Sequence, residues 1–198
     1  MVFFGMTYGM VGSGKSMLAK FVQENNRFPT LSFRFPKNTH FEVVASDEVR
    51  LKIYKKQSLA EIFGGIDPEH NLPPDIEKEV WSTIKETVIE NLGKNRDTLL
   101  DNTALIQTGR EYVLRWLQEC EHKYLIHITR FLMVINTSYE QILKWNQPRS
   151  GSPRPAAVPQ NIIDRMWQAR NDPDQQPKLD LEKWDFVYYF EPERHPLV

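Results

Sequence analysis

Hydrophobic residues along the chain fall into short continuous runs that alternate with longer segments of helical periodicity. Short apolar runs bounded by turn residues are typical of buried strands, and apolar positions that repeat every three or four residues indicate amphipathic helices. Strands that alternate with helices predict an α/β fold around a mostly parallel sheet. Strands are predicted at residues 2–7, 31–35, 41–45, 98–101, 124–135 and 184–190, and helices at residues 14–23, 47–55, 74–92, 108–121, 138–145 and 161–170.

The composition is typical of an ordinary globular protein. The chain has 198 residues, of which 40% are hydrophobic and 26% are charged, so we expect a single domain over residues 1–198 that carries a small lid. With one cysteine, Cys120, no intramolecular disulfide can form. No apolar run approaches the ~20 residues of a membrane helix, and we expect a cytoplasmic protein without a membrane partner. A net charge of −1 argues against a protein that coats nucleic acid, although a local basic groove remains compatible with it.

A glycine-rich loop follows the first predicted strand. Residues 9–16 read Gly-Met-Val-Gly-Ser-Gly-Lys-Ser and satisfy the pattern G-x-x-x-x-G-K-[ST]. In such a loop the backbone N–H groups bind phosphate oxygens, the lysine reaches the β- and γ-phosphates, and the serine hydroxyl ligates Mg²⁺. A flexible glycine turn is the alternative, but a strand before the loop and a helix after it favour the phosphate site. We therefore predict ATP and Mg²⁺ as cofactors, with nucleotide contacts from Gly9, Gly12, Ser13, Gly14, Lys15, Ser16 and Met17.

A carboxylate and a guanidinium follow the predicted strand at residues 41–45. Asp47 and Arg50 are three residues apart and therefore lie on the same face of the next helix. At the carboxyl end of a strand, Asp47 is well placed to take the proton from an acceptor hydroxyl, and Arg50 to bind an anionic part of the acceptor. The alternative is structural: Asp47 caps the helix and forms an ordinary ion pair with Arg50.

A second carboxylate ends the apolar run at residues 98–101. Asp101 is predicted to orient Mg²⁺ or its water, which is the role of the Walker B aspartate in P-loop proteins. A turn-initiating aspartate is the competing explanation. Arg110 lies nine residues further on, near the start of the next predicted helix, where it either pairs with Asp101 or is solvated.

Further motifs, present and absent, narrow the class of P-loop protein. The chain lacks the Asn-Lys-x-Asp motif of GTPases and the Leu-Ser-Gly-Gly run of transporter ATPases. Its P-loop, its Ser-Asp-x-x-Arg at residues 46–50 and its Asp-Asn-Thr at residues 101–103 followed by Arg110 resemble the polynucleotide 5′-kinase family of P-loop phosphotransferases. Trp-Asn-Gln-Pro-Arg at residues 145–149, followed by Val158-Pro159 and a helix through Met166, resembles the lid of that family.

The resemblance implies a P-loop kinase-type three-layer α/β fold with sheet order 2-3-1-4-5 and a helical or loop lid at about residues 137–170. It implies that Asp47 is the general base, that Arg50 contacts the phosphate of the acceptor, and that Arg149 is the lid arginine on the transferring phosphate. The predicted catalytic residues are thus Lys15, Asp47 and Arg149, the metal ligands Ser16 and Asp101, and the substrate-binding residues Arg50, Asp101 and Arg110.

The chain departs from the family pattern at two places. Trp145 occupies the position of the first lid arginine, which weakens phosphate binding unless Lys144 or Arg154 substitutes for it. Trp145 is interpreted either as a core residue or as a stacking partner for adenine. Residues 25–39 form a longer link than usual and suggest an added hairpin near the acceptor.

The preferred hypothesis is an ATP-dependent kinase that phosphorylates the 5′-hydroxyl of a nucleic-acid end. The family also contains kinases of small molecules and nucleotide sugars, so a kinase of a small metabolite, nucleoside or sugar conjugate is the alternative enzyme. A third hypothesis is a non-catalytic protein in which ATP only opens and closes the lid.

Overall fold

The computed structural model describes residues 1–32, 34–56, 62, 73–147 and 158–197. Within these residues, strands and helices largely follow one another in the order that the hydrophobic pattern predicts. The strands are β1 (Val2–Tyr8), β2 (Phe41–Ala45), β3 (Asp97–Asp101), β4 (Ile128–Ile135) and β5 (Phe186–Phe190). The helices are α1 (Lys15–Asn25), α2 (Ser46–Tyr54), α3 (Pro74–Gly93), α4 (Gln107–Tyr124), α5 (Tyr139–Asn146), α6 (Gln160–Asn171) and α7 (Leu179–Glu182).

The five strands form one parallel sheet in the order β2-β3-β1-β4-β5, which confirms the predicted fold class and strand order. Every residue of β1 is buried, because this central strand has neighbours on both edges and packed layers on both faces. Parallel pairing brings the carboxyl ends of the strands to one edge, where Ala45 of β2 is in register with Asp101 of β3. Ligands of open α/β sheets bind at this edge.

Two apolar cores cover the two faces of the sheet. Alternate side chains of β1 point to opposite faces, so Phe4 belongs to one core and Phe3 to the other. Helix α3 buries a residue every four positions, from Val80 to Leu92, against the core of Phe4. Helix α1 buries Leu18 and Val22 against the core of Phe3. The molecule is therefore a three-layer α/β structure.

Gly5 in the middle of β1 is required by close packing. It is in register with Phe131 of β4, whose ring folds over the glycine. A Cβ atom at this position would lie 2.3 Å from Cζ of Phe131 and 2.6 Å from Cδ2 of Leu99. A glycine in a strand interior often marks such an approach. We attribute the glycine to the packing of Phe131, which also stacks on Phe186 with ring centroids 5.2 Å apart.

The connection between α1 and β2 does not contain the predicted strand at residues 31–35. Its described residues form an isolated antiparallel bridge between Arg27 and Arg34 instead of a hairpin with paired strands. Phe28 is fully buried and stacks on Tyr188 of β5, with ring centroids 4.3 Å apart. Of the residues that suggested a strand, Phe35 is buried in the core of Phe3 and Leu31 is exposed. Burial of an aromatic residue outside a strand satisfies part of the same hydrophobic pattern.

The helices differ from the prediction mainly at their ends. Helix α4 continues to Tyr124 and ends at Leu125, which adopts a left-handed conformation with φ 53°, so β4 begins at Ile128 and not at residue 124. The short helix α7 was not predicted. Among the described residues, no helix has the length and apolar character needed to cross a membrane. Trp116 and Trp184 are buried, and Trp81 and Trp167 pack against the core of Phe4.

Candidate active site

The loop between β1 and α1 turns on two glycines. Gly12 and Gly14 have φ angles of 72° and 96°, in the left-handed region that residues with a Cβ atom rarely adopt. Helix α1 then begins at Lys15, so the loop leads into the positively polarised amino end of a helix. The N–H of Gly9 donates to the carbonyl of Thr103 at 3.0 Å. Gly9 thus fixes the start of the loop against the end of β3, and its N–H is already occupied.

The loop contains polar side chains of the kind that bind phosphate. Lys15 Nζ donates to the carbonyl of Met10 at 2.8 Å. Ser13 is buried, and its Oγ has no hydrogen-bond partner among the described residues. The carbonyl of Ser13 accepts a hydrogen bond from Thr137 Oγ1 at 2.8 Å, which ties the loop to the end of β4. An unpaired hydroxyl, a lysine and a helix amino end fit the phosphates of a nucleotide. Met17, which is predicted to contact the nucleotide, is 56% exposed.

Two oxygen groups that suit a magnesium ion are in direct contact. Ser16 Oγ donates to Asp101 Oδ2 at 2.5 Å, and Thr7 Oγ1 lies 3.1 Å from Asp101 Oδ1. Thr7 Oγ1 also accepts a hydrogen bond from the N–H of Asn102 at 2.9 Å, which fixes the backbone beside the carboxylate. Mg²⁺ commonly takes one or two oxygens from protein and the rest from water and nucleotide phosphates. Ser16 and Asp101 therefore fit that ion, and the described residues contain no cluster of three or more His, Cys, Asp or Glu that would suit another metal.

Asp47 lies in the first turn of α2, immediately beyond β2 and on the same sheet edge as Asp101. Burial raises the pKa of Asp47 above its ordinary value of 3.8, while the positive charge of Lys15 lowers it. Burial lowers the pKa of Lys15, and the charges of Asp101 and Asp47 raise it. The structure thus brings Lys15, Asp47 and Asp101 within electrostatic range of one another. Asp47 makes no capping hydrogen bond, because Ala45 is the N-cap residue.

Arg50 is held by carboxylates of the protein itself. Its Nε and Nη2 donate to Oε1 and Oε2 of Glu77 on α3, both at 3.0 Å, and its Nη1 donates to Asp47 Oδ1 at 3.3 Å. The hydroxyl of Tyr54 donates to Glu77 Oε1 at 3.1 Å. The ion pair of Asp47 with Arg50 that the spacing suggested is present, but the dominant partner of Arg50 is a residue 27 positions away.

Arg110 is fully buried, a placement that does not suit the predicted contact with substrate. Its Nε and Nη2 donate to the carboxylate of Glu182 at 2.7 and 2.6 Å, and its Nη1 donates to the carbonyl of Ala104 at 2.9 Å. Its Nη2 also donates to the carbonyl of Gln175 at 2.8 Å. Neither the pairing with Asp101 nor the solvated position expected from the sequence is observed, because α7 supplies an acid that the sequence pattern did not reveal.

The segment predicted as a lid is described at its two ends. Arg149, the predicted lid arginine, and Arg154 lie outside the described residues. Asn146 at the end of α5 donates through Nδ2 to the carbonyl of Val158 and accepts through Oδ1 from the N–H of Val158, at 2.8 and 2.9 Å. Tyr139 of α5 also donates a hydrogen bond to Asp164 of α6. Trp145 is half-buried.

Sequence reasoning missed the residues that support the site from neighbouring elements. Thr7 lies near the end of β1 and Thr137 follows β4; they bind Asp101 and the loop, and a hydroxyl at a strand end was the available signal for both. Glu77 and Glu182 each lie among other acids on their helices, so no local signal distinguishes them. Their roles depend on which helices pack together.

Solved structures share this fold at low sequence identity. A chain of the Pnkp1/Rnl/Hen1 RNA repair complex is 18% identical with a TM-score of 0.56, over 85% of this chain and 44% of that chain. A sugar kinase from Janibacter sp. HTCC2649 is 15% identical with a TM-score of 0.55, over 98% of this chain and 90% of that chain. Kti12 from Chaetomium thermophilum, in complex with ADP-AlF3, is 12% identical with a TM-score of 0.61, over 95% of this chain and 88% of that chain.

The present chain spans less than half of the Pnkp1/Rnl/Hen1 chain that it matches. No curated protein shows significant sequence similarity to it. Residues 5–173 match the family described as "AAA domain" (AAA_33), and this match includes the P-loop, the acidic strand ends and the helices of the predicted lid. Since the match extends over most of the sequence, the chain belongs to this AAA domain family.

Proposed function

We propose that this protein transfers the γ-phosphate of ATP to an acceptor hydroxyl. The observation that carries the proposal is the convergence of Lys15, Asp101 and Asp47 at the carboxyl edge of the sheet, where each charge acts on the others. A phosphate-binding lysine, a metal-orienting carboxylate and a carboxylate able to accept a proton are the parts that phosphoryl transfer to an alcohol requires.

The proposed reaction is a direct displacement. The acceptor oxygen forms a bond to the γ-phosphorus as the bond from that phosphorus to the bridging oxygen of ADP breaks, and the hydroxyl proton passes to a carboxylate oxygen of Asp47. Lys15 neutralises charge on the phosphates, and Arg149 is proposed to do so from the lid. Mg²⁺ held by Ser16 and Asp101 would supply further charge neutralisation when bound. Thr7 keeps the Asp101 carboxylate oriented.

Two acceptor classes follow from the observations. The motifs shared with polynucleotide 5′-kinases support the 5′-hydroxyl of a nucleic-acid end. The ion pairs that hold Arg50 favour the second class, a small metabolite, nucleoside or sugar conjugate, because the cation that would bind an acceptor phosphate is engaged by Glu77.

The test presents labelled ATP with 5′-hydroxyl DNA, 5′-hydroxyl RNA and a panel of hydroxylated metabolites to the wild type and to Asp47→Asn. Loss of a general base lowers the transfer rate by about 10²–10⁴-fold, whereas ATP binding should persist because Asp47 is not part of the loop. Glu48→Gln, an exposed carboxylate next to Asp47, is the matched control and should retain activity.

Full activity of Asp47→Asn would refute the role of Asp47, and full activity of Lys15→Ala would refute the ATP site. A KM that rises steeply with salt would indicate a nucleic-acid acceptor, because such binding releases counterions. If ATP binds but no acceptor is phosphorylated, the non-catalytic hypothesis replaces the kinase hypothesis.

A further inference from the structure

We infer that Glu77 determines acceptor specificity by occupying the edge of Arg50 that an acceptor phosphate would need. The preferred acceptors are then hydroxyl compounds without a phosphate beside the reacting hydroxyl. The inference rests on the proposed function and names the substrate class of the same site.

The contact between Arg50 and Glu77 has the geometry that recognises a phosphate. Two guanidinium nitrogens, Nε and Nη2, each donate to a different carboxylate oxygen at 3.0 Å. Arginine binds phosphate through the same bidentate fork, so a carboxylate and a phosphate compete for one edge. An acceptor phosphate at Arg50 must therefore displace Glu77.

Displacement is opposed by the surroundings of the ion pair. Only 13% of the Arg50 side chain and 20% of the Glu77 side chain are exposed, so the pair is screened by water less than a surface pair. The hydroxyl of Tyr54 donates to Glu77 Oε1 at 3.1 Å and holds the carboxylate in place. A phosphate that entered would also face the negative charges of Glu77 and Asp47 together.

A third hydrogen bond of Arg50 links it to Asp47, the candidate base. Its Nη1 lies 3.3 Å from Asp47 Oδ1, while the opposite edge is fixed to α3. Arg50 is therefore a positioning residue that orients Asp47. Glu77 holds the Arg50 guanidinium in the position that this role requires.

The experiment compares the binding of a nucleoside and of its 3′-monophosphate, in protein saturated with a non-hydrolysable ATP analogue and Mg²⁺ so that the P-loop is filled. The wild type should show no gain in affinity from the phosphate. Glu77→Gln should bind the 3′-monophosphate at least about tenfold more tightly than the wild type does, because the charge-assisted bonds of Arg50 become available to the phosphate. Adding Arg50→Ala to Glu77→Gln should abolish this gain.

Glu79→Gln is the matched control, since it removes one negative charge from an exposed position of the same helix and should leave the affinities unchanged. Binding of the ATP analogue and thermal unfolding verify that each variant is folded. Two results overturn the inference: no gain in Glu77→Gln, or a preference of the wild type for the 3′-monophosphate that Arg50→Ala removes. Both are binding results, so they are separate from failure of the proposed function, which appears as loss of ATP binding or of transfer.

Discussion

Asp47 is close enough to two cations, Lys15 and Arg50, and to the carboxylate of Asp101 for their charges to act on it. Surrounding protein is the largest influence and raises the pKa of Asp47, although 59% of the side chain remains exposed and open to an acceptor. The two cations oppose this rise. A carboxylate whose pKa lies above its ordinary value is a better proton acceptor in the neutral range than an unperturbed one.

The pH dependence of transfer should reflect this raised pKa. Asp47 accepts a proton only when it is ionised, so kcat/KM should fall as the pH decreases through the pKa of Asp47, with a midpoint above 3.8. The measurement is a pH profile of kcat/KM, accompanied by circular dichroism at each pH to verify that the protein stays folded. The residual activity of Asp47→Asn should lack this acid limb. A wild-type profile that stays flat down to pH 3.8 would contradict the assignment.

At the scale of elements, α5 and α6, which both lie within the predicted lid, are joined by hydrogen bonds. Asn146 satisfies both backbone groups of Val158, so the chain leaves α5 and returns to α6 at one fixed point. The hydrogen bond of Tyr139 to Asp164 joins the same two helices through their side chains. These hydrogen bonds stabilise the junction of α5 and α6.

Asn146→Ala should impair transfer without unfolding the protein. Loss of two hydrogen bonds of about 0.5–1.5 kcal/mol each weakens the junction, so KM for ATP should rise and kcat should fall several-fold. The measurement is steady-state kinetics, with thermal unfolding to verify that the variant stays folded. Asn161→Ala removes an exposed amide at the start of α6 and serves as the control. Equal kinetics in the two variants would show that the junction does not support transfer.

At the scale of the whole molecule, the Arg110–Glu182 pair joins segments that are distant in sequence. The carboxylate also accepts from Trp184 Nε1 at 3.0 Å, and the guanidinium lies over the ring of Tyr8 at 5.3 Å. Arg110 further binds the carbonyl of Ala104, whose φ of 51° is unusual for a residue with a side chain. The pair therefore connects the sheet, the loop after β3 and the segment before β5.

Arg110→Ala should destabilise the fold. Removing one partner of a fully buried ion pair leaves an uncompensated charge and costs about 3–5 kcal/mol, measured as the free energy of unfolding in denaturant. The double variant with Glu182→Ala should recover part of this loss, because no buried charge is then left unpaired. Lys20→Ala breaks the exposed pair with Glu24 and should cost at most about 1 kcal/mol. Similar losses in Arg110→Ala and Lys20→Ala would contradict this role of the buried pair.

Local sequence patterns predicted the structure correctly where the interactions that form it are local. The P-loop at residues 9–16 is defined by its spacing, because the two glycines with positive φ and the following lysine act within one turn of chain. The apolar strands were found for the same reason, and aspartates at their ends could be assigned to one edge of a parallel sheet. The segment at residues 31–35 was misinterpreted as a strand, because core burial of a residue such as Phe35 also occurs outside strands.

The sequence by itself determined the phosphate-binding loop, the alternation of strands and helices, and the acids that follow β2 and β3. Tertiary structure alone decided that Arg50 pairs with Glu77 and that Arg110 pairs with Glu182. Each cation pairs with an acid far along the chain, 27 and 72 residues away, on a helix whose packing no short pattern specifies. The physical reason is that an arginine pairs with any carboxylate that folding brings near it. The spacing of a motif reflects only contacts between residues that are close in sequence.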